Sequence, residues 1–259
     1  MKLKKVSEDK KNMKLSFELN DCDEAFANAI RRTIMEEVPT LAIEDIEVKE
    51  NSSALYDEML ALRIGLTPIK TDLSSYRLPK NEDEIKERAA GCTLQMGLKV
   101  AKKGYVYAEE ATSKDTKCTF VYPKMPLVKL AAKQKVDLLM YAVMGQGKDH
   151  IKWSPGMAWF YHQADVKVNQ KVNLIEQFKH KYPPQIFDKS GKIVKEKIVE
   201  LNLFDAVEGI CDNLIQVTFQ DNQFIFNVES WGQLTCQKML EESANILLNK
   251  VEELEAQIK

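Results

Sequence analysis

No apolar run in this chain of 259 residues approaches the ~18–20 residues that a membrane-spanning helix requires. The opening M-K-L-K-K-V-S-E-D has none of the apolar core of a secretory signal, so no membrane association and a cytoplasmic location are expected. Cysteine is sparse: five residues, at 22, 92, 118, 211 and 236, with no C-x-x-C pair. An odd number at wide spacing reads as reduced thiols rather than a disulfide framework. Three histidines occur, His150, His162 and His180. A zinc site from Cys92, Cys118, His150 and His162 is conceivable, but no close ligand pair supports it and no metal is expected. G-x-S-x-G, H-E-x-x-H and paired-carboxylate motifs are absent. Gly145, Gly147 and Lys148 lack the G-x-x-x-x-G-K-[ST] spacing of a phosphate loop. No catalytic residue is expected. Neither sign of charge dominates: the net charge of −2 argues against a stand-alone DNA binder, which is usually distinctly basic. There is no internal repeat and no low-complexity tract.

What is present is an ordinary globular composition, long enough for one or two domains. Its clearest stretch is residues 26–39, F-A-N-A-I-R-R-T-I-M-E-E-V-P. Phe26, Ile30, Ile34 and Val38 recur every four residues and predict one apolar helical stripe. Asp21 and Glu24 have the D-x-x-E spacing of a capping box, and Pro39 ends the helix. Arg31 and Arg32 flank the stripe. Arg32 can pair with Glu36 one turn on.

Around this helix the chain reads as follows. Residues 2–19 predict two strands about a polar turn at 8–12, with Met13, Leu15, Phe17 and Leu19 on one face. Ser52 and Ser53 can cap a short helix that closes near Gly65. Residues 93–100, 105–108, 119–122 and 136–143 predict strands, punctuated by Pro123 and Pro126. Residues 166–212 are basic. Alternation at Ile215, Val217 and Phe219, then at Phe224, Phe226 and Val228, predicts a hairpin turning at Asp221-Asn222. A terminal helix of roughly 39 Å is expected over about 233–258. Its Leu240, Ala244, Leu247, Val251, Leu254 and Ile258 step by four and three, as in a heptad seam. Neither terminal segment is large enough to build a core alone. Together they predict an α+β layer, an antiparallel sheet with helices on one face.

The wording of three stretches says more than their period. F-A-N-A-I-R-R-T-I-M-E-E-V-P-T-L-A-I resembles the dimerisation motif of the RNA polymerase α-like family. R-I-G-L-T-P-I at 63–69 and G-Q-G-K-D-H-I-K-W-S-P at 145–155 resemble the archaeal branch of that family. The resemblance is good over about residues 1–165 and 213–259 and weak between them.

This resemblance implies a discontinuous dimerisation domain, residues 1–41 with 213–259, interrupted by a β-rich insert at 42–165. The small basic region 166–212 would be a degenerate ferredoxin-like domain. In many archaeal members the matching insertion carries iron–sulfur clusters, and a cubane site needs four thiolates. Here only Cys211 falls in the region, and Tyr182-Pro183-Pro184 stands where a C-P pair is expected, so no cluster and no other cofactor is expected. The implied role is a non-catalytic scaffold of DNA-directed RNA polymerase, itself a nucleotidyltransferase. Expected partners are a small α-like subunit (subunit L in archaea), other small polymerase subunits and the large catalytic subunits, with DNA met only through the complex.

The expected heterodimer interface is Phe26, Ile30 and Ile34 with Leu240, Ala244, Leu247, Val251 and Leu254. Arg31 and Arg32 match the family's paired arginines and are assigned to a large subunit, against intrachain pairing with Glu36 or Glu37. Lys148, His150, Lys152 and Trp153 lie in a loop that serves either packing or subunit contact. The competing readings are a free-standing homodimeric regulator with weak nucleic-acid binding and a metalloenzyme using the scattered Cys and His.

Overall fold

The structure is a computed structural model, and it describes residues 1–258. The polar turn forms as expected. Strands β1 (Lys2–Asp9) and β2 (Lys14–Asn20) flank it. Asp9 closes it by accepting from the Lys11 and Asn12 N–H groups, both at 3.0 Å, as Asx turns do. Helix α1 (Glu24–Glu36) follows. Its first helical residue is Glu24, so the expected capping box is not made. Asp21 lies outside the helix in left-handed backbone, φ 59°, and its N–H donates to the Asn222 carbonyl at 3.0 Å.

Pro39 separates α1 from strand β3 (Thr40–Asn51). Helix α2 (Asp57–Gly65) ends at the expected glycine. Its N-terminus is not capped by Ser52 or Ser53. Ser53 is engaged instead by the Asn51 side chain, 2.7 Å away. Next come α3 (Glu82–Lys86), β4 (Thr93–Val100), β5 (Gly104–Tyr107), β6 (Ala111–Ser113), β7 (Pro126–Leu130), β8 (Val136–Gly145) and β9 (Gly156–Val168). The strand expected at 119–122 is reduced to a single bridge, Ile69 to Phe120. Pro123 removes the donor that would extend it. The short helices α4 (Val172–Phe178), α5 (Lys195–Glu200) and α6 (Phe204–Val207) lead to β10 (Ile215–Ser230) and α7 (Cys236–Ile258). The expected hairpin is also corrected: β10 is one strand of 16 residues, and Asp221-Asn222 stays extended inside it. A strand with ladders on both sides has no need to turn, and in its sheet β10 lies between β2 and β9.

The fold is α+β, built on antiparallel pairings. One sheet has the order β1-β2-β10-β9, a second β3-β8-β4-β6, and β5 pairs with β7. The chain divides into two compact units. The larger comprises Lys5–Phe17, Ala25–Trp159 and Phe226–Lys259; the smaller comprises Met1–Lys4, Glu18–Glu24 and Phe160–Ile225. In the larger unit, β8 is central. It pairs with β3 from Thr40↔Gly145 and with β4 from Thr93↔Val143. Its residues, V-D-L-L-M-Y-A-V-M-G, are buried throughout from Met140 onward and at alternate positions before it, which is why the segment is almost continuously apolar. Leu60 and Ile64 of α2 join this core. The smaller unit has its own core, in which Ile175, Ile186, Ile198, Phe204 and Val207 from the short helices and turns meet Leu214 and Ile215.

A candidate assembly surface

Helix α7 shows two different faces. Cys236, Met239 and Ser243 are buried inside the chain. The Cys236 thiol points at the Met13 carbonyl, 3.0 Å away, and its burial pushes the thiol pKa up. On the other side lies the expected seam. Ala244 is exposed and Leu240 and Leu247 are half-buried. Val251 is 61% exposed, Leu254 57% and Ile258 77%. Leu248, which falls outside the strict heptad steps, is exposed to a similar degree. The helix therefore anchors by its first two turns and carries an apolar stripe outward for the remainder. An apolar helix face left in water forgoes roughly 1.5–3 kcal/mol per large side chain that burial would supply.

Helix α1 contributes unevenly. Phe26 is 38% exposed and Ile30 is half-buried. Ile34, expected at the interface, is fully buried within the chain, together with Ala27 and Thr33. It belongs to the chain's own core, and the end of α1 beyond it is held by the loop after β8. That loop is the G-Q-G-K-D-H-I-K-W-S-P segment, and it works as a clamp on the C-terminus of α1. The last carbonyls of a helix need outside donors. The Lys148 N–H donates to the Glu36 carbonyl at 2.9 Å, and Gln146 Nε2 to the Glu37 carbonyl at 2.7 Å. The Gln146 role has a signal in the sequence only as the residue between two glycines. Gly147 passes so close to α1 that an added Cβ would stand 2.1 Å from the Met35 carbonyl oxygen.

The four loop residues singled out from the sequence separate into two pairs. Trp153 turns inward and its indole N–H donates to the Val143 carbonyl at 3.0 Å. Lys152 lies 4.4 Å from the Trp153 ring, donates to the Ile43 carbonyl at 3.1 Å and pairs with Glu44. Lys148 and His150 are exposed. His150 uses Nδ1 locally, accepting from the Lys152 N–H at 3.1 Å. A further tie joins the two helices: Lys250 on α7 pairs with Glu37 just after α1, at 2.5 Å.

Arg32 forms the expected pair with Glu36 at 3.1 Å, and both side chains remain largely exposed. The guanidinium hydrogen bond holds Glu36 below its ordinary pKa and raises that of Arg32. Among the described residues Arg31 takes no carboxylate. Its Nε donates to Asn28 Oδ1 at 3.0 Å, and Nη1 approaches the Met35 sulfur. A guanidinium without an acidic partner keeps most of its forked donor set for another molecule.

In the smaller unit Tyr182 is buried, with its hydroxyl 3.5 Å from the Cys211 carbonyl. Burial pushes its phenol pKa up. Cys92 and Cys118, considered above as metal ligands, are fully buried in the larger unit. Burial also pushes the Cys118 thiol up to about 11. Among the described residues no three His, Cys, Asp or Glu side chains come together as a metal site.

Comparison with known proteins gives this chain a family. The RNA polymerase Rpb3/Rpb11 dimerisation domain matches residues 16–251. The chain belongs to that family. Within the Rpb3/Rpb11 family, curated relatives align along nearly the whole length. The DNA-directed RNA polymerase subunit Rpo3 of Methanosarcina acetivorans is 35% identical over 244 residues, covering 92% of this chain and 91% of the relative. The Rpo3 subunit of Pyrococcus horikoshii is 32% identical over 266 residues, covering 97% and 95%. That of Pyrobaculum aerophilum is 32% identical over 232 residues, covering 87% and 84%. Among the described residues no helix is long and apolar enough to cross a membrane.

Proposed function

We propose that this chain is the larger α-like assembly subunit of an archaeal polymerase, pairing with a small α-like chain to build the platform on which the large subunits dock. It is a non-catalytic subunit of DNA-directed RNA polymerase, and its partners are other polymerase subunits. The pairing surface is Phe26 and Ile30 of α1 with Leu240, Ala244, Leu247, Val251 and Leu254 of α7. Ile34 supports that surface from beneath. The observation that carries this reading is the two-faced α7, anchored at Met239 and Ser243 and apolar outward at Val251 and Leu254. A stripe of that length on a fold of this family fits the knobs of a second long helix.

In this reading residues 1–41 and 213–259 are the dimerisation segments, 42–165 the insert and 166–212 a small domain without an iron–sulfur cluster. The thiol count supports the last point: a cubane takes four thiolates, Cys211 is the one cysteine in 166–212, and the Tyr182 hydroxyl is spent on the Cys211 carbonyl. Arg31 and Arg32 reach a large subunit. The exposed Arg32–Glu36 pair is screened by solvent and readily exchanged.

A tagged copy in native cells tests the scheme. It is expected to retrieve a small α-like chain and both large subunits. Arg31→Ala with Arg32→Ala is expected to retain the small chain and lose at least half of the large subunits. Retrieval of no polymerase subunit by the unaltered chain refutes the reading.

A further inference from the structure

Charge is segregated in the smaller unit. Residues 178–197 hold six lysines against two acids, a surplus of four positive charges in a chain of net −2. Residues 198–212 hold four acids and no lysine or arginine. The fold gathers the lysines. The Phe187–Ile193 bridge and the Asp188 N–H to Lys192 carbonyl bond, 2.9 Å, close a tight turn that carries Lys189 and Lys192. Lys179 lies 5.7 Å from the Phe187 ring and beside Gly191 of that turn. Lys181 lies 5.6 Å from the Phe178 ring.

All four of these lysines are exposed, and none has an ion pair among the described residues. The others of the run are engaged: Lys195 pairs with Asp165 at 3.5 Å, and Lys197 donates to the Phe187 carbonyl at 2.8 Å. Asp188, the acid within the turn, is occupied by it. Its carboxylate accepts from the Ser190 N–H and hydroxyl and from the Lys192 N–H, at 2.7–2.9 Å. Glu176 and Glu196 are exposed on α4 and α5.

We propose that Lys179, Lys181, Lys189 and Lys192 form a docking face for the phosphodiester backbone of a nucleic-acid strand, read without base specificity. Ammonium groups are point charges suited to phosphate oxygens, whereas carboxylate partners favour the forked arginine. Residues 166–212 contain no arginine. This proposal stands apart from the pairing of α1 and α7 and does not depend on it.

Fluorescence anisotropy of the full chain with labelled duplex DNA, and separately with single-stranded RNA, tests it. Four neutralised phosphates predict a log–log salt slope of about −3.6 for duplex DNA and about −2.8 for a single strand; the tighter arm identifies the natural form. The variant K179E/K181E/K189E/K192E is expected to lose at least tenfold in affinity. K102E/K103E/K114E/K124E, matched in charge and exposed, is expected to lose less than threefold. Should the first variant misfold by circular dichroism, the four Lys→Gln changes replace it with the same expected loss. No binding by the unaltered chain at low salt, equal losses in the two variants, or tighter binding of a polyglutamate peptide than of either nucleic acid would overturn the proposal.

Discussion

Gly147 and Gln146 do at the scale of single residues what a helix cap does at the end of an ordinary helix. Gly147 brings the Lys148 N–H under the last turn of α1, and any side chain at 147 collides with the Met35 carbonyl. Gly147→Ala is therefore expected to destabilise the chain by about 2 kcal/mol, the usual range for overpacking against backbone. A denaturant midpoint lowered at unchanged slope would register this; an unchanged midpoint would show that the loop yields freely. A second residue-scale expectation concerns Glu84. Its carboxylate takes both Arg77 guanidinium nitrogens at 2.7 and 2.8 Å and the Lys80 N–H, which hold its pKa at about 2 against an ordinary 4.5. A depressed carboxylate contributes stability above its ordinary value, and that contribution is lost as pH falls towards 2. Glu84→Gln should flatten the loss of stability between pH 4.5 and about 2, read from denaturant midpoints across that window. A variant as acid-sensitive as the parent would assign the loss elsewhere. The glycines and the tryptophan of this loop are visible in the sequence as a motif. Their task is not, because a backbone approach of this kind leaves no periodic signal.

Elements divide by whether their signal is local. Helices α1, α2 and α7 are legible because an apolar period of three and four belongs to one segment and needs no partner. Strands β4 and β8 are legible from alternating or continuous apolar residues, a signal that is equally local. The hairpin at Asp221-Asn222 fails because turn residues only permit a turn; pairing on both sides of β10 decides against it. Ile34 sits on the same stripe as Phe26 and Ile30, and period alone does not tell the chain's own core from a partner's. Burial in the folded chain decides it: Ile34 is wholly covered, whereas Phe26 and Ile30 are not. For α7 the exposed half has a measurable consequence. Backbone amides at 248–258, on a half-helix with no buried residue, should exchange with deuterium rapidly in the chain alone, as weakly packed segments do. They should become protected when the small α-like chain is added. Equal exchange in both states would place the partner elsewhere.

For the whole molecule, the two helices proposed to pair with a partner come from distant segments of one chain. Helix α1 near one end and α7 near the other share the larger unit and are tied by Glu37 and Lys250. The chain between them supplies the β3-β8-β4-β6 sheet and the loop that bonds the end of α1. The smaller unit keeps a separate isoleucine-rich core and the segregated lysines. The lysine run between 179 and 197 is evident in the sequence, but the gathering of Lys179, Lys189 and Lys192 at one turn is not. Five large apolar side chains on a partner-facing stripe would contribute on the order of 10 kcal/mol gross before ordering and association are charged against it. Removing the centre of that stripe should thus abolish pairing rather than weaken it. The measurement is analytical ultracentrifugation of this chain mixed with the small α-like chain, comparing the unaltered protein with Leu247→Asp plus Leu254→Asp. The unaltered protein should sediment as a 1:1 heterodimer and the variant as separate, folded chains. A variant that forms the heterodimer with unchanged affinity would contradict the assignment of α7 as the pairing surface.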